Sequence, residues 1–117
     1  MKDFLNVMKA LSDPNRVKIV KMLQHKKNMC VCEIQEVLRI AQPTVSKHLK
    51  VLENSGLVDY KKDGLWVNYY LTDGQQSPQA ASLLGNLKHW LEADPEIADI
   101  VQQLPGVQRE TIVKREK

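Results

Sequence analysis

Only two of the 117 residues are cysteine, and they stand one residue apart in Asn28-Met29-Cys30-Val31-Cys32-Glu33-Ile34. Thiolates are soft donors suited to thiophilic ions, and they are also nucleophiles and redox centres. Two cysteines separated by one residue are poor material for a structural staple, so they read as reduced thiols of a reducing compartment. Two residues along a regular α-helix correspond to a rotation of about 200°, which turns the sulfurs away from one small ion. They converge only where the chain between them is non-helical. Ile34, Val37 and Leu38 recur at helical spacing and put a helix start close to Cys32, so the pair is expected to straddle that start. Lowered thiol pKa values are expected there.

Other donors near the pair are weak. His25 lies five residues before Cys30 but reads as the polar end of a preceding helix, and Gln35, on the helical face of Cys32, is a poor ligand for a soft ion. Several other uses of the thiols compete with ion binding. Both cysteines could be small apolar fillers of a helical core, or a redox sensor. A thiol oxidoreductase would use one of them as nucleophile, but the chain has no Cys-x-x-Cys, no βαβ pattern and no phosphate-binding loop. A zinc-structured module lacks four ligands at familiar spacing. No enzyme is expected.

The elements that must position the thiols are marked by proline. Four of the five prolines stand where a helix can begin: Ser12-Asp13-Pro14, Gln42-Pro43, Ser77-Pro78 and Asp94-Pro95. Proline at the first helical position loses no hydrogen bond, and Ser or Asp before it caps the free amides, Gln42 being the weakest of these caps. Val17, Val20 and Leu23, widened by Ile19 and Met22, form the buried stripe of the second helix; Val45, Leu49 and Leu52 form that of the helix over 43–54. The thiol-bearing helix over 32–40 joins the latter through a tight connection at Ala41-Gln42. Gly56 is placed to end a helix. Beyond it Leu65, Val67, Tyr69 and Leu71 alternate with Trp66, Asn68 and Tyr70, and Asp63-Gly64 reads as a two-residue hairpin turn. The fold class is mainly α with one β-hairpin, a winged helix-turn-helix.

One domain is expected at this length. Residues 1–92 are read as a DNA-binding and dimerisation unit, 93–106 as an extra helix built on Ile97, Ile100, Val101 and Leu104, and 107–117 as a frayed polar tail. Phe4, Met8 and Leu11 form one apolar stripe, and Ala80, Leu83, Leu84, Leu87 and Leu91 another on a helix over 78–92, with Trp90 adding a large apolar surface. A core this small does not readily cover both stripes. Phe4, Met8, Leu11, Leu83, Leu84, Leu87, Trp90 and Leu91 are therefore expected at the interface of a symmetric homodimer. No apolar run approaches the length of a membrane span and no signal-peptide pattern is present, so a cytoplasmic protein without a membrane partner is expected.

The formal net charge of +3 is unevenly spread. Residues 1–27 carry seven Lys/Arg against two Asp/Glu, whereas residues 64–113 carry two against six. A basic front half suggests double-stranded DNA as polyanionic partner. The segment 43–54, roughly 18 Å long at the helical rise, is long enough for a major groove. With Val45, Leu49 and Leu52 inward, Thr44, Ser46, Lys47, His48 and Lys50 remain outward, with Gln42 at the turn, to meet bases and phosphates. Lys61 and Lys62, beside the hairpin turn, are placed for the phosphate backbone.

"ALSDPNRVKIVKML", "QPTVSKHLKVLENSGLV" and "KKDGLWVNYYL" together resemble the successive signatures of the ArsR/SmtB family of metal-responsive winged-helix repressors. "CVCEI" resembles the thiolate motif of its arsenic-responsive branch. The likeness covers residues 5–71. It implies a homodimeric repressor on a two-fold-symmetric operator, with Cys30 and Cys32 as ligands for an As(III) or Sb(III) inducer, or for another thiophilic ion, whose binding releases the DNA. Some relatives carry a third cysteine where this chain has Gln35. The zinc-responsive branch places ligands on its last helix, but Lys88, His89 and Glu92 do not follow that spacing.

Overall fold

The computed structural model describes residues 1–116, with the side chains of residues 1–114. Its elements run α1 (Lys2–Ala10), α2 (Pro14–His25), α3 (Val31–Leu38), α4 (Gln42–Asn54), a hairpin of β1 (Val58–Asp63) and β2 (Trp66–Leu71), α5 (Pro78–Leu87), α6 (Pro95–Gln103), a 3-10 turn at Leu104–Gly106, and α7 (Arg109–Glu116). This is the expected winged helix-turn-helix, with α3 and α4 as its two helices and the antiparallel hairpin as its wing.

The caps explain where the helices begin. Asp13 Oδ1 accepts from the backbone N–H of Asn15 and Arg16, at 2.8 and 3.2 Å, Ser77 from that of Ala80, and Asp94 from those of Glu96 and Ile97. At α4 the cap is Ala41 rather than Gln42, and it has no side chain to offer; its carbonyl accepts from Thr44 and Val45 instead. Gly56, at φ +84°, closes α4 as expected: its N–H donates to Glu53 and the next N–H, of Leu57, reaches back to Leu52. Leu52 and Leu57 are both fully buried, so the reversal also feeds the core.

The hairpin turn falls one residue later than the sequence predicts. Asp63 pairs with Trp66, so the loop is Gly64-Leu65, with Gly64 at φ +62°. Glycine supplies the positive φ that the first loop residue needs, and Leu65 is left wholly exposed at the tip. Met29 pairs with Tyr69 across the other side of β2, through Met29 N–H to Tyr69 O at 3.1 Å and Tyr69 N–H to Met29 O at 2.8 Å. The segment that carries the cysteines is thereby hydrogen-bonded to the wing.

Ile19, Val20, Met22 and Leu23 of α2 and Val45, Leu49 and Leu52 of α4 centre the core, joined by Met29, Ile34 and Val37. Val17 of the expected stripe is only half-buried. Ile97, Ile100, Leu104, Val107 and Ile112 belong to the same buried cluster. The expectation of a fraying tail from Val107 is therefore corrected: α7 forms over 109–116, because Val107 and Ile112 find apolar cover and Lys26 Nζ donates to Val107 O. Lys117, the end of that expected tail, lies outside the described residues.

α5 is also shorter than expected, ending at Leu87 instead of continuing to 92. Lys21, fully buried in α2, reaches across to donate to the carbonyls of Leu87 and Trp90, the latter at 2.9 Å. The chain then turns, with Leu91 at φ +66°. A residue in the left-handed region cannot continue a right-handed helix, so the chain leaves the helical path there.

Candidate nucleic-acid interface and thiol site

Burial of Val45, Leu49 and Leu52 leaves Gln42, Thr44, Ser46, Lys47 and Lys50 exposed on the other face of α4. Lys50 is drawn to Glu53 at 3.6 Å, an exposed pair of little strength. His48 differs from these. It is half-buried, and its Nδ1 lies 3.2 Å from a guanidinium nitrogen of Arg16. A guanidinium can only donate, so Nδ1 accepts and the ring proton resides on Nε2. Arg16 also donates to Ala10 O at 2.8 Å and Lys9 O at 3.2 Å, closing the end of α1. Sequence reasoning passed over Arg16; its only signal is an arginine at the start of a helix, where a cation is poorly placed for the dipole.

The wing presents Lys61 and Lys62, both exposed, with Lys27 and Asn28 from the end of α2. These residues, with Asn68 and Tyr70, line a groove of about 700 Å³. Trp66, at the start of β2 beside the hairpin tip, is covered by Arg109, whose guanidinium carbon sits 4.7 Å from the ring centroid and whose nitrogen donates to Asn68 Oδ1 at 3.1 Å. α7 thus braces the wing.

At the thiols the backbone does what convergence demands. Cys30 is the N-cap of α3, with extended angles of φ −84° and ψ 167°, and Cys32 is the second residue of the helix. The Cys32 side chain hydrogen-bonds that of Cys30, while the N–H of Glu33 donates to the Cys30 sulfur. Glu33 returns the bond, its Oε1 accepting from Cys30 N–H at 3.0 Å, and its Oε2 pairs with Lys26 Nζ at 2.7 Å. The pair straddles the helix start as expected, but the expected lowering of the thiol pKa is reversed for Cys30. Burial, at 4% exposure, leads the causes that push its thiol up to about 12, aided by the hydrogen bond with Cys32; the bond from the Glu33 N–H works against them.

Cys32 is half-buried and opens onto a cleft of about 490 Å³ between α3 and α7. His25 is not near the thiols in function: it pairs with Glu92 at 3.2 Å, which also meets Lys21, and these contacts hold Glu92 below its ordinary pKa. Among the described residues no group of three or more His, Cys, Asp or Glu could hold a metal ion. Of the residues expected at a dimer interface, Phe4, Met8, Trp90 and Leu91 are exposed, Leu11 and Leu83 are half-buried, and Leu84 and Leu87 are taken up by the chain's own core.

An exposed second helix in a helix-turn-helix, followed by an antiparallel wing, defines a winged-helix transcriptional regulator. Residues 13–60 match the bacterial regulatory proteins of the arsR family. The chain is 43% identical over 67 residues to an uncharacterized HTH-type transcriptional regulator, MJ1325 of Methanocaldococcus jannaschii, a match that covers 57% of this chain and 75% of that one. It is 41% identical over 71 residues to a cadmium resistance transcriptional regulatory protein CadC homolog of Staphylococcus aureus, covering 61% and 59%. It is 38% identical over 68 residues to the arsenical resistance operon repressor of Escherichia coli K12, covering 58% of each. The chain thus spans under two thirds of the length of the cadmium and arsenical regulators. Among solved structures, the transcriptional repressor BigR from Xylella fastidiosa superposes with a TM-score of 0.65 at 32% identity, over 78% of this chain and 85% of that one. The chain belongs to the ArsR family of DNA-binding transcriptional regulators, which are not enzymes. No helix among the described residues is long and apolar enough to cross a membrane.

Proposed function

We propose that this chain is a repressor that binds a two-fold-symmetric operator as a homodimer and leaves it when As(III) or Sb(III) is held by Cys30 and Cys32. The observation that carries the reading is the contact between the two thiols at the N-terminus of α3, the supporting helix of the helix-turn-helix. The extended backbone at Cys30 removes the geometric objection that regular helix would raise, and two sulfurs side by side suit a soft ion. Similarity to both an arsenical and a cadmium resistance regulator supports a thiophilic inducer.

The same contacts explain how occupancy and DNA binding oppose one another. Cys30 and Cys32 engaged by an ion give up the hydrogen bond between them, and the Cys30 sulfur gives up the N–H of Glu33 that it caps. The first turn of α3 is loosened at a point tied in two directions. Met29 passes the displacement to the wing through Tyr69, and the turn at Arg39 to Ala41 passes it to α4. The two ligands are then negatively coupled, each weakening the other by the same factor. On the DNA side, Thr44, Ser46, Lys47, Lys50 and Gln42 meet the major groove with His48 through Nε2–H, and Lys61 and Lys62 meet phosphates.

A parallel DNA-release titration with As(III), Sb(III), Cd(II), Zn(II) and peroxide tests this reading. Release by As(III) or Sb(III) at the lowest concentration, and its loss with unchanged operator affinity in Cys30→Ser/Cys32→Ser, is the expected result. Retained release in the double variant would sink the proposal, and release by peroxide alone would make the pair a redox sensor instead.

A further inference from the structure

The chain supplies two sulfurs, whereas trivalent arsenic and antimony form three bonds. The nearest alternatives are committed: Glu33 to Cys30 N–H and to Lys26, and His25 to Glu92. Yet the side of Cys32 that faces away from Cys30's buried surroundings is open. The cleft there is lined by Cys32, Gln35, Glu36, Arg39, Ile40 and Ile112. Its volume of about 490 Å³ falls within the roughly 300–1,000 Å³ of small-molecule sites. Its walls are chemically divided. Ile112 is buried and Ile40 half-buried, while Gln35 offers an amide and Arg39 an exposed guanidinium that has no hydrogen bond or ion pair among the described residues.

We infer that this cleft seats a small thiol bearing a carboxylate, whose sulfur becomes the third ligand of the metalloid held by Cys30 and Cys32. The inference rests on the metalloid-sensing reading above and adds the identity of the missing ligand. Arg39 and the Gln35 amide receive the carboxylate, and the apolar wall at Ile40 and Ile112 packs against the aliphatic part of the thiol. Arsenous acid, the Cys30 thiol, the Cys32 thiol and the small thiol combine with loss of water. Three As–O bonds break and three As–S bonds form; each hydroxyl leaves with one thiol proton as a water molecule, and arsenic stays trivalent throughout. No oxidant or reductant is required.

The test uses the full-length chain, As(III), and three conditions: a thiol-free phosphine reductant, 2-mercaptoethanol, and L-cysteine or glutathione. X-ray absorption at the arsenic edge is expected to count two sulfurs plus oxygen in the thiol-free sample, and three sulfurs with L-cysteine or glutathione. The half-release concentration of As(III) should fall by about tenfold with the carboxylate thiols relative to 2-mercaptoethanol. Arg39 adopts φ +56°, a left-handed position that Asn tolerates, so Arg39→Asn removes the charge with little strain. That variant should lose the preference for carboxylate thiols while still binding As(III) through two sulfurs. Gln35→Cys should bring in a third protein sulfur and make release independent of added thiol. Three results overturn the inference while leaving metalloid sensing intact: two sulfurs in every sample, equal release with and without L-cysteine or glutathione, or an unchanged carboxylate preference in Arg39→Asn. Absence of any As–S signal in all three conditions overturns the sensing reading itself.

Discussion

Arg16, through its contacts with His48 and with the end of α1, ties three helices together. The guanidinium holds the last carbonyls of α1, sits at the start of α2, and fixes the ring of His48 on α4. It therefore leaves Nε2 as the His48 nitrogen that carries the proton. Replacing Arg16 with Met should cost about 1–3 kcal/mol of stability from unpaired carbonyls. It should also lower the ratio of operator to non-specific affinity more than it lowers non-specific affinity. Nitrogen-15 spectra of the His48 ring should show the Nε2–H tautomer in the parent protein and a mixture in the variant; a mixture in both would remove Arg16 from its positioning role. Cys30 yields a second prediction at this scale. Its thiol is raised from 9.0 to about 12 in the folded chain, so the stability it contributes is complete below pH 9.0. As pH rises further, the unfolded chain ionises first, and that contribution is lost progressively toward pH 12. Melting temperatures measured from pH 8 to 10 should therefore fall more steeply for the parent than for Cys30→Ser. Equal slopes would mean that the thiol is not shielded as its burial implies.

At the scale of elements, helix starts were the most legible feature, because Asp13, Ser77 and Asp94 act through bonds made within three residues of themselves. Helix ends governed by distant partners were not. Nothing near Leu87 in the chain announces that α5 stops there; the turn beyond it, with Leu91 at φ +66°, is held by Lys21, 66 residues before Leu87, whose buried ammonium donates to the carbonyls of Leu87 and Trp90. The apolar stripe of α2 says nothing of Lys21, since periodicity reports which face is apolar but not what a long polar side chain can reach across it. The same limit hid α7, since Val107 just before it and Ile112 within it gain meaning only against the rest of the buried cluster. The thiol contact was legible as a requirement, a non-helical Cys30, but whether the backbone meets it depends on the cap that Glu33 completes. Lys21→Met tests the weight of such a distant bond. It leaves two carbonyls without their donor and should destabilise the chain by about 2–4 kcal/mol in urea unfolding. Because the lost bonds lie outside the helical ladder, helical circular dichroism should stay nearly level while stability drops. A change below 0.5 kcal/mol, within the usual range for surface sites, would show that the lysine is not buried in solution.

On the scale of the whole molecule, exposed lysines gather on two elements: Lys47 and Lys50 on α4 and Lys61 and Lys62 on the wing, with Lys27 beside the wing. Reversing charge at both Lys61 and Lys62 should weaken binding to all DNA sequences and flatten its dependence on salt, because fewer counterions are released. Unaltered affinity would remove the wing from the interface. A single chain, however, has one recognition helix, and its surface is incomplete in another respect. Phe4, Leu5 and Met8 of α1 and Trp90 and Leu91 in the turn between α5 and α6 are 38% to 51% exposed, large apolar side chains left in contact with water. Pairing with a second copy would cover them and set two α4 helices in fixed relation for two half-sites. Leu84 and Leu87 cannot contribute much to that contact because the chain's own core already buries them. The disruptive changes therefore belong at Met8 and Trp90, whose exposure in the single chain makes a folded variant attainable. Met8→Glu/Trp90→Glu should sediment as a monomer at micromolar concentration with an unchanged melting temperature at low protein concentration. Its operator affinity should drop by two orders of magnitude or more, about the loss of one of two linked binding events, while affinity for an isolated half-site stays the same. A parent chain that itself sediments at 13.4 kDa under those conditions would rule out the dimer.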